Sequence, residues 1–417
     1  MDVSAWIIIW KALENYESYY NKYLLSREVS QYLHERQNDV QILYQSLDSI
    51  FTESTKYSLE YLLTIIDSLV QVTYECLENN FSDEGKKIFS FERIGQVYRI
   101  NLHRLCAIWP SLSSSLLCIT TSKVSYFRTS ALGLLNQLIP ITLSYLHSNQ
   151  QSLSGKFTAD NYQRLIFEPW LNLVKCKFPE LKEQIVVALN KIVIDYGHVL
   201  HHGWSCLLEI IKEIGDFKSM QVIIDTFLEQ VDPYMESVVE IVEQFKASLT
   251  DPNQKYLCLT FLWTIGDHTH RQNKLQLLEK IFALLLEPEY PFVFNPEARH
   301  SAFYIFTELL IHNCSNETYE FWQRIFASIE IYVRYVVGEL KKTSDQKIVE
   351  EAGKNILLNL IKIYKKYFPL ISRHQKESQH QLGFFFTFAT EVLQLGNTDL
   401  FVLSLKQIKE ILAIKLV

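Results

Sequence analysis

Apolar residues recur at helical spacing almost without a break from Trp6 to Ile414, and a chain patterned this way has little to fold into except packed helices. Between 180 and 197, Leu181, Ile185, Leu189, Ile192 and Tyr196 form one stripe, while Val186, Val187, Val193 and Ile194 put apolar side chains on other faces. Such a helix is expected to be covered on more than one side. Comparable segments lie at 57–78, 89–108, 128–146, 161–176, 203–215, 219–231, 233–248, 253–270, 274–287, 297–313, 318–341, 345–368, 379–395 and 398–414. The chain holds only 12 glycines and 10 prolines in 417 residues. Average usage is roughly 7% and 5%, and sheets and α/β loops consume more turn chemistry than this chain supplies. The expectation is an all-α protein.

Helix-start chemistry recurs between the segments. Asp232-Pro233, Asp251-Pro252 and Asn295-Pro296 each place an acceptor side chain before a proline suited to the first helical position. Gly197 and Gly215 stand where left-handed caps close a helix. The polar stretches 80–88, 147–160, 288–296 and 371–378 read as loops. Two segments, Phe127 to Leu132 and Ala298 to Phe303, share the order apolar-Arg-x-x-Ala-apolar, as in the second helix of HEAT repeats, where Ala lets helices approach and Arg bridges adjacent repeats. So long a chain exceeds one ordinary core, and unbroken helical patterning favours an array over separate domains. The predicted architecture is a right-handed α-solenoid of irregular HEAT/armadillo-like repeats, continuous over 1–417. Both ends are apolar where a solenoid wants polar caps, so the chain is expected to be a fragment of a larger protein.

Charge and cysteine usage narrow the function. Forty Lys and Arg against 47 Asp and Glu give a net charge of −7, and the basic residues are dispersed, so no nucleic-acid footprint is present. Seven cysteines occur without a C-x-x-C pair, which points to reduced thiols in a cytosolic protein. The sequons at Asn80, Asn313 and Asn316 would matter only after secretion, and the start of the chain lacks a signal-peptide pattern. No apolar run reaches the roughly 18 residues of a spanning helix.

Sites of chemistry are sparse. Neither G-x-x-x-x-G-K-[ST] nor G-x-G-x-x-G occurs, so phosphate cradling has no support. His198, His201 and His202 beside Trp204, and His268 and His270 after Asp267, read as solvated helix-end residues, because adjacent helical histidines do not converge on one ion. Cysteines in apolar settings such as Leu257-Cys258-Leu259 have their thiols deactivated by burial. No catalytic residue, cofactor or metal is expected. The aromatics of 319–326 and 384–388 fall at core spacing, and Glu236, Glu240 and Glu243 read as solvent-facing. Lys341, Lys342, Lys365, Lys366 and Arg373 form a basic set at the ends of two adjacent helices. By default this is a solvated face, with an acidic partner or an anionic lipid surface as the functional alternative.

Three stretches carry a family resemblance: FPELKEQIVVALNKIVIDYGHVLHHGW (178–204), with Gly203-Trp204 opening a helix; LTFLWTIGD (259–267), with Trp263 and Asp267; and NPEARHSAFYIF (295–306), with Arg299 and Ala302. FWQRIF (321–326) follows. In order and spacing they resemble the Mon-two Golgi scaffold family, named for monensin sensitivity and related to the helical homology regions of large Arf exchange factors. The resemblance covers about 160–370, and the chain departs from it at His201-His202 and His268. It implies a non-enzymatic scaffold segment of a peripheral protein on cytosolic trans-Golgi network and endosome membranes. By the same resemblance the partners are a Dopey-type protein, an aminophospholipid flippase and Arf-like GTPases, in endosome-to-Golgi and Golgi vesicle traffic. A regulatory helical region of a large Arf guanine-nucleotide exchange factor is the first alternative. A HEAT-repeat nuclear-transport carrier is the second, although it calls for stricter tandem repeats. Trp204 and Trp263 are expected to be buried between successive helices, and Arg299 to bond a neighbouring helix end or carboxylate.

Overall fold

The computed structural model describes residues 42, 45, 46, 48–78, 89–149, 159–248, 251–271, 275–287, 302–314, 317–342, 344–371 and 375–393, with 402, 403, 405, 406, 408 and 409 from the last stretch. Among the described residues the regular structure is helical and no strand occurs, as the periodicity requires. The chain divides into two compact units, Met1–Ser219 and Met220–Val417.

The first unit contains α1 (Leu59–Glu78), α2 (Phe89–Ile100), α3 (Leu105–Thr120), α4 (Ser125–Ser148), α5 (Ala159–Leu173), α6 (Pro179–Tyr196) and α7 (Gly203–Ile214). Helices two apart in sequence lie side by side, so α1, α3, α5 and α7 make one row and α2, α4 and α6 the other, with hairpin neighbours such as α3 and α4 packed across. This is repeat logic: a single hairpin cannot bury its apolar face, and each added pair covers the one before. The helix α8 (Phe217–Thr226) spans the boundary between the units. The second unit has α9 (Met235–Ser248), α10 (Pro252–Arg271), α11 (Leu275–Leu285), α12 (Ala302–Asn313), α13 (Tyr319–Lys342), α14 (Gln346–Ile371) and α15 (Gln375–Leu393). Here α10, α12 and α14 form one row; α9 packs on α11 and α13 on α15 in the other, with Arg324 of α13 bonded to Glu279 of α11 at 2.6 Å.

The Arg-x-x-Ala motif of α4 does what its chemistry suggests. The Arg128 guanidinium forms an ion pair with Glu180 at the start of α6, donates to the Ser122 and Lys123 carbonyls at 3.0 and 2.9 Å, and lies 4.0 Å from the Phe178 ring centre. Ala131 is fully buried. One side chain thus ties α4 and α6 together and closes the turn before α4.

Several expectations need correction. Val187 and Ile194 are 72% and 61% exposed, so α6 is covered along its Leu181–Ile185–Leu189–Ile192 stripe and open on the opposite side. It is the last member of its row among the described helices of the first unit, and Val187 and Ile194 lie exposed on its outer side. The segment 89–108 is two helices: α2 ends at Ile100, a 3-10 turn covers Leu102–Arg104, and α3 starts at Leu105. Pro110 and the serines after it hid α3. An interior proline costs about 3 kcal/mol, but Leu105, Ile108, Trp109, Leu112, Leu116 and Ile119 are all buried, and packing on that scale outweighs the penalty. Pro140 in α4 and Pro169 in α5 are likewise interior. In this neighbourhood the Trp109 indole N–H donates to the Leu165 carbonyl at 2.9 Å, and that of Trp170 to Asn136 Oδ1 at 2.9 Å.

Gly215 caps α7 in the left-handed region at φ 77°, its amide donating to the Ile211 carbonyl at 2.8 Å. Gly197, by contrast, is right-handed at φ −52° and runs into a 3-10 turn. Asp251 Oδ1 accepts the Asn253 amide at 3.0 Å and starts α10. Asp232-Pro233 opens a 3-10 turn, Asp232–Tyr234, before α9. Of the polar stretches, 147–149 belong to the end of α4, and α14 and α15 close in on the last one to Ile371 and Gln375. The loops 80–88 and 288–296, the Asn295-Pro296 start and nearly all of 398–414 lie outside the described residues.

Candidate functional site

In the first unit the Gly203–Trp204 signature sits where the chain crosses from α6 to α7. Gln163, on the inner face of α5 and 4% exposed, spans this crossing. Its Oε1 accepts the Gly203 amide at 2.8 Å and the His201 amide at 3.0 Å, and its Nε2 donates to the Val199 carbonyl at 2.9 Å. One amide side chain thereby satisfies three backbone groups, of which the Gly203 amide and the Val199 carbonyl are buried. A Cβ on Gly203 would lie 2.9 Å from that same Oε1, 3.0 Å from Leu200 and 3.1 Å from Phe167, so glycine is needed for close approach. Trp204 is fully buried. The neighbouring His198, His201 and His202 are exposed, and His198 meets His147 edge-on with ring centres 6.0 Å apart.

The second signature is built differently. Trp263 on α10 is half-buried, which corrects the expectation of a core position, and Asp267 one turn later is half-buried too. The Trp263 indole meets the Tyr304 ring of α12 edge-on at 6.2 Å. Lys362 of α14 places its ammonium 5.2 Å from the Tyr304 ring centre and 2.8 Å from Glu308, which also pairs with His312 at 3.3 Å. Below this band, a Cβ on Gly266 would meet Leu309 at 2.8 Å, so the glycine of LTFLWTIGD lets α10 and α12 touch. Trp263, Tyr304 and Lys362 therefore form an aromatic and cationic strip across three adjacent helices of one row. His268 points the other way: it is 9% exposed, not solvated, and its Nε2 lies 3.0 Å from Asp232 Oδ1. Ala302 opens α12 as a buried residue, whereas Arg299 lies outside the described residues.

The basic set does not converge. Helices α13 and α14 run antiparallel, since Trp322 stacks on Tyr367 with ring centres 3.8 Å apart while Phe326 meets Tyr364. That register puts Lys341 and Lys342 at one end of the hairpin and Lys365 and Lys366 near the other, about 30 Å away at 1.5 Å per residue. Lys341 pairs with Glu391 at 3.1 Å and Lys342 with Glu339 at 2.7 Å. Lys366 donates to the Ile311 carbonyl at the end of α12, beside the Tyr367 hydroxyl, which bonds Leu310 O at 2.8 Å. Arg373 lies outside the described residues. Glu236, Glu240 and Glu243 are exposed along α9, with Glu240 3.9 Å from Lys280.

The cysteines and tyrosines of the interior are held in their uncharged forms. Burial pushes the Cys258 and Cys314 thiols up to about 12, and it raises Cys206 as well. Burial raises the Tyr332 and Tyr364 phenols in the same way. Lys246 is pulled down to about 8 by burial, with Glu243 opposing; its ammonium reaches the Leu284 carbonyl at 3.0 Å and Glu287. Among the described residues no group of three or more His, Cys, Asp or Glu is placed to hold a metal, and no helix is long and apolar enough to cross a membrane. What the arrangement offers chemically is surface: rings, lysines and carboxylates displayed across helix rows.

Comparison with known proteins agrees with the resemblance read from the motifs. Residues 152–228 match the family model described as Mon2/Sec7/BIG1-like, HDS, a span that contains Gln163, Gly203 and Trp204. The "Protein MON2 homolog" of Drosophila melanogaster is 19% identical over 266 residues, covering 61% of this chain and 15% of the relative. Its Homo sapiens namesake is 19% identical over 242 residues, covering 55% and 14%. The "ADP-ribosylation factor guanine nucleotide-exchange factor sec71" of Schizosaccharomyces pombe is 19% identical over 359 residues, covering 78% and 19%. The chain thus spans less than a fifth of each of these relatives. Its HDS segment and its likeness to both Mon2 homologues relate this helical chain to the Mon2 family, alongside the homology regions of Sec7-type Arf exchange factors.

Proposed function

We propose that this chain is a non-enzymatic scaffold segment of a peripheral Golgi and endosome protein, binding protein partners in endosome-to-Golgi and Golgi vesicle traffic. The observation that carries the reading is the match of 152–228 to the HDS model together with the Mon2 likeness over more than half of the chain. The geometry supports it: conserving helix packing while displaying outward strips suits adhesion better than turnover. A Dopey-type protein, an aminophospholipid flippase and Arf-like GTPases are the partners the resemblance implies. The likeness to the sec71 exchange factor over 78% of the chain favours one second reading, a regulatory region that relays signals to an exchange module. Affinity capture with the purified chain, followed by reconstitution with each purified candidate, tests the scaffold reading. Saturable binding of a Dopey-type partner is the expected result. Nucleotide exchange on an Arf-like GTPase catalysed by the chain alone would overturn it.

A further inference from the structure

The outward face of α13 has an order of its own. The inner side of this helix, from Trp322 to Leu340, is core. Outward, Glu320, Ala327, Ile331, Gly338 and Lys342 follow one another at alternating spacings of seven and four residues, which sets them on a single line. Ile331 is 63% exposed, and Tyr335 beside the line is 39% exposed. A Cβ on Gly338 would meet nothing within 4 Å. Glycine weakens a helix interior, and no contact inside the molecule calls for one here. The charges are polarised, with Glu320 in the first turn and Lys341 and Lys342 in the last. Arg324, Arg334, Lys341 and Lys342 are met by Glu279, Glu330, Glu391 and Glu339, so the face has polarity without a net sign. Such a face selects neither an acidic nor a basic partner. What it matches is its own reverse.

We infer that this face binds a second copy of the chain, two α13 helices packing antiparallel about a two-fold axis beside Ile331. That axis sets residues equally far before and after Ile331 against each other. Ala327 then receives Tyr335 of the second copy, small against large. Gly338 lets the backbones close and admits Arg324 of the second copy, which comes beside Glu339. Glu320 meets Lys342 of the second copy, and the symmetry repeats this at the other end. Glu330 and Arg334, bonded within one chain at 2.6 Å, lie a turn apart next to the axis and match their counterparts equally well. Parallel packing would set Glu320 on Glu320 and lysines on lysines, a like-charge arrangement that is disfavoured. The helix dipole by itself favours an acid first and a base last, but it accounts for neither the apolar centre nor Gly338. The inference stands apart from the scaffold reading, since self-association needs none of the proposed partners.

The test is sedimentation equilibrium of the intact chain from about 1 to 200 µM, where monomers should give way to dimers. One helix per protomer falls below the roughly 800 Å² per partner of stable complexes, so the association is expected to be weak. Ile331→Glu should raise the dissociation constant on the order of ten-fold. Gly338→Leu should do the same without lowering the melting temperature, because its side chain meets nothing within one chain. Glu320→Lys should weaken the dimer roughly five-fold, and Lys342→Glu added to the same chain should restore most of that loss, since the antiparallel pair then carries the same charges exchanged. A chain that stays monomeric across this range, a dimer indifferent to Ile331→Glu and Gly338→Leu, or a charge exchange that fails to restore association would each overturn the antiparallel α13 dimer. So would a monomer whose binding of a Dopey-type protein is lost in Ile331→Glu, a result that would give the face to a partner and leave the scaffold reading standing.

Discussion

The two tryptophan signatures have similar sequence dress and opposite physical settings. Gly203-Trp204 is sealed: the glycine is gripped by Gln163, and the indole is fully buried. Trp263 lies half-open on a helix face with Tyr304 against it, while its own glycine, Gly266, does the buried packing against Leu309. Glycine beside tryptophan is therefore no guarantee of a core tryptophan. In the first case both residues serve the crossing between helices; in the second the glycine holds the helices together and frees the aromatic residue for display.

The largest expected effect sharpens this contrast. Trp204→Ala should cost about 3–5 kcal/mol of unfolding free energy, and Trp263→Ala about 1–2 kcal/mol, because only the first empties a closed cavity. Urea unfolding of both variants measures this, and equal losses would break the comparison. Next, Gln163→Ala should cost about 2–3 kcal/mol by leaving buried backbone groups at 199–203 without their partner; the same change at Gln137, exposed on α4, should be close to neutral. A smaller effect concerns pH. The Arg128 hydrogen bond holds the Glu180 carboxyl below its ordinary range, so its contribution is present above the unfolded value near pH 4.5 and is lost as pH falls through the lowered folded value. Glu180→Gln should flatten the loss of stability between about pH 5 and 3, as read from denaturation midpoints across that range. The mildest test is chemical: Cys258 and Cys314, buried with thiols near 12, should resist alkylation in the native state, while the exposed Cys118 reacts. Mass mapping after brief labelling reports the order.

Much of the fold was legible because its signals are local. Periodicity located nearly every helix, Gly215 closed α7 as a left-handed cap, and Asp251-Pro252 started α10 with a side-chain bond. Failures came where tertiary packing overruled local rules. Helix α3 persists through Pro110 because its neighbours bury Trp109 and Leu112, and Gly197 takes a right-handed turn because the chain runs directly into the Gln163-clamped crossing. The surface was less legible. Periodicity marks residues as apolar but cannot say whether a neighbour covers them, so Val187 and Trp263 read as core. Lysines counted by proximity in sequence separated to opposite ends of an antiparallel hairpin. Tyr304 and Lys362 carried no signal as a pair, since only the register of α12 and α14 brings them together. Gln163 was likewise silent until its three backbone partners were in view.

The interior prolines have a consequence that reaches beyond their own helices. Pro169 has no N–H to give the carbonyl four residues earlier, that of Leu165, and this vacated acceptor is the one that the Trp109 indole occupies from α3. A helix breaker in one repeat thus creates a specific socket for a plug in another, fifty-six residues away in sequence. Restoring ordinary helix chemistry at Pro169 would bring a second donor to the same oxygen, whose two lone pairs the helix and the indole would then share. The indole bond therefore fixes the register of α3 on α5 at this point.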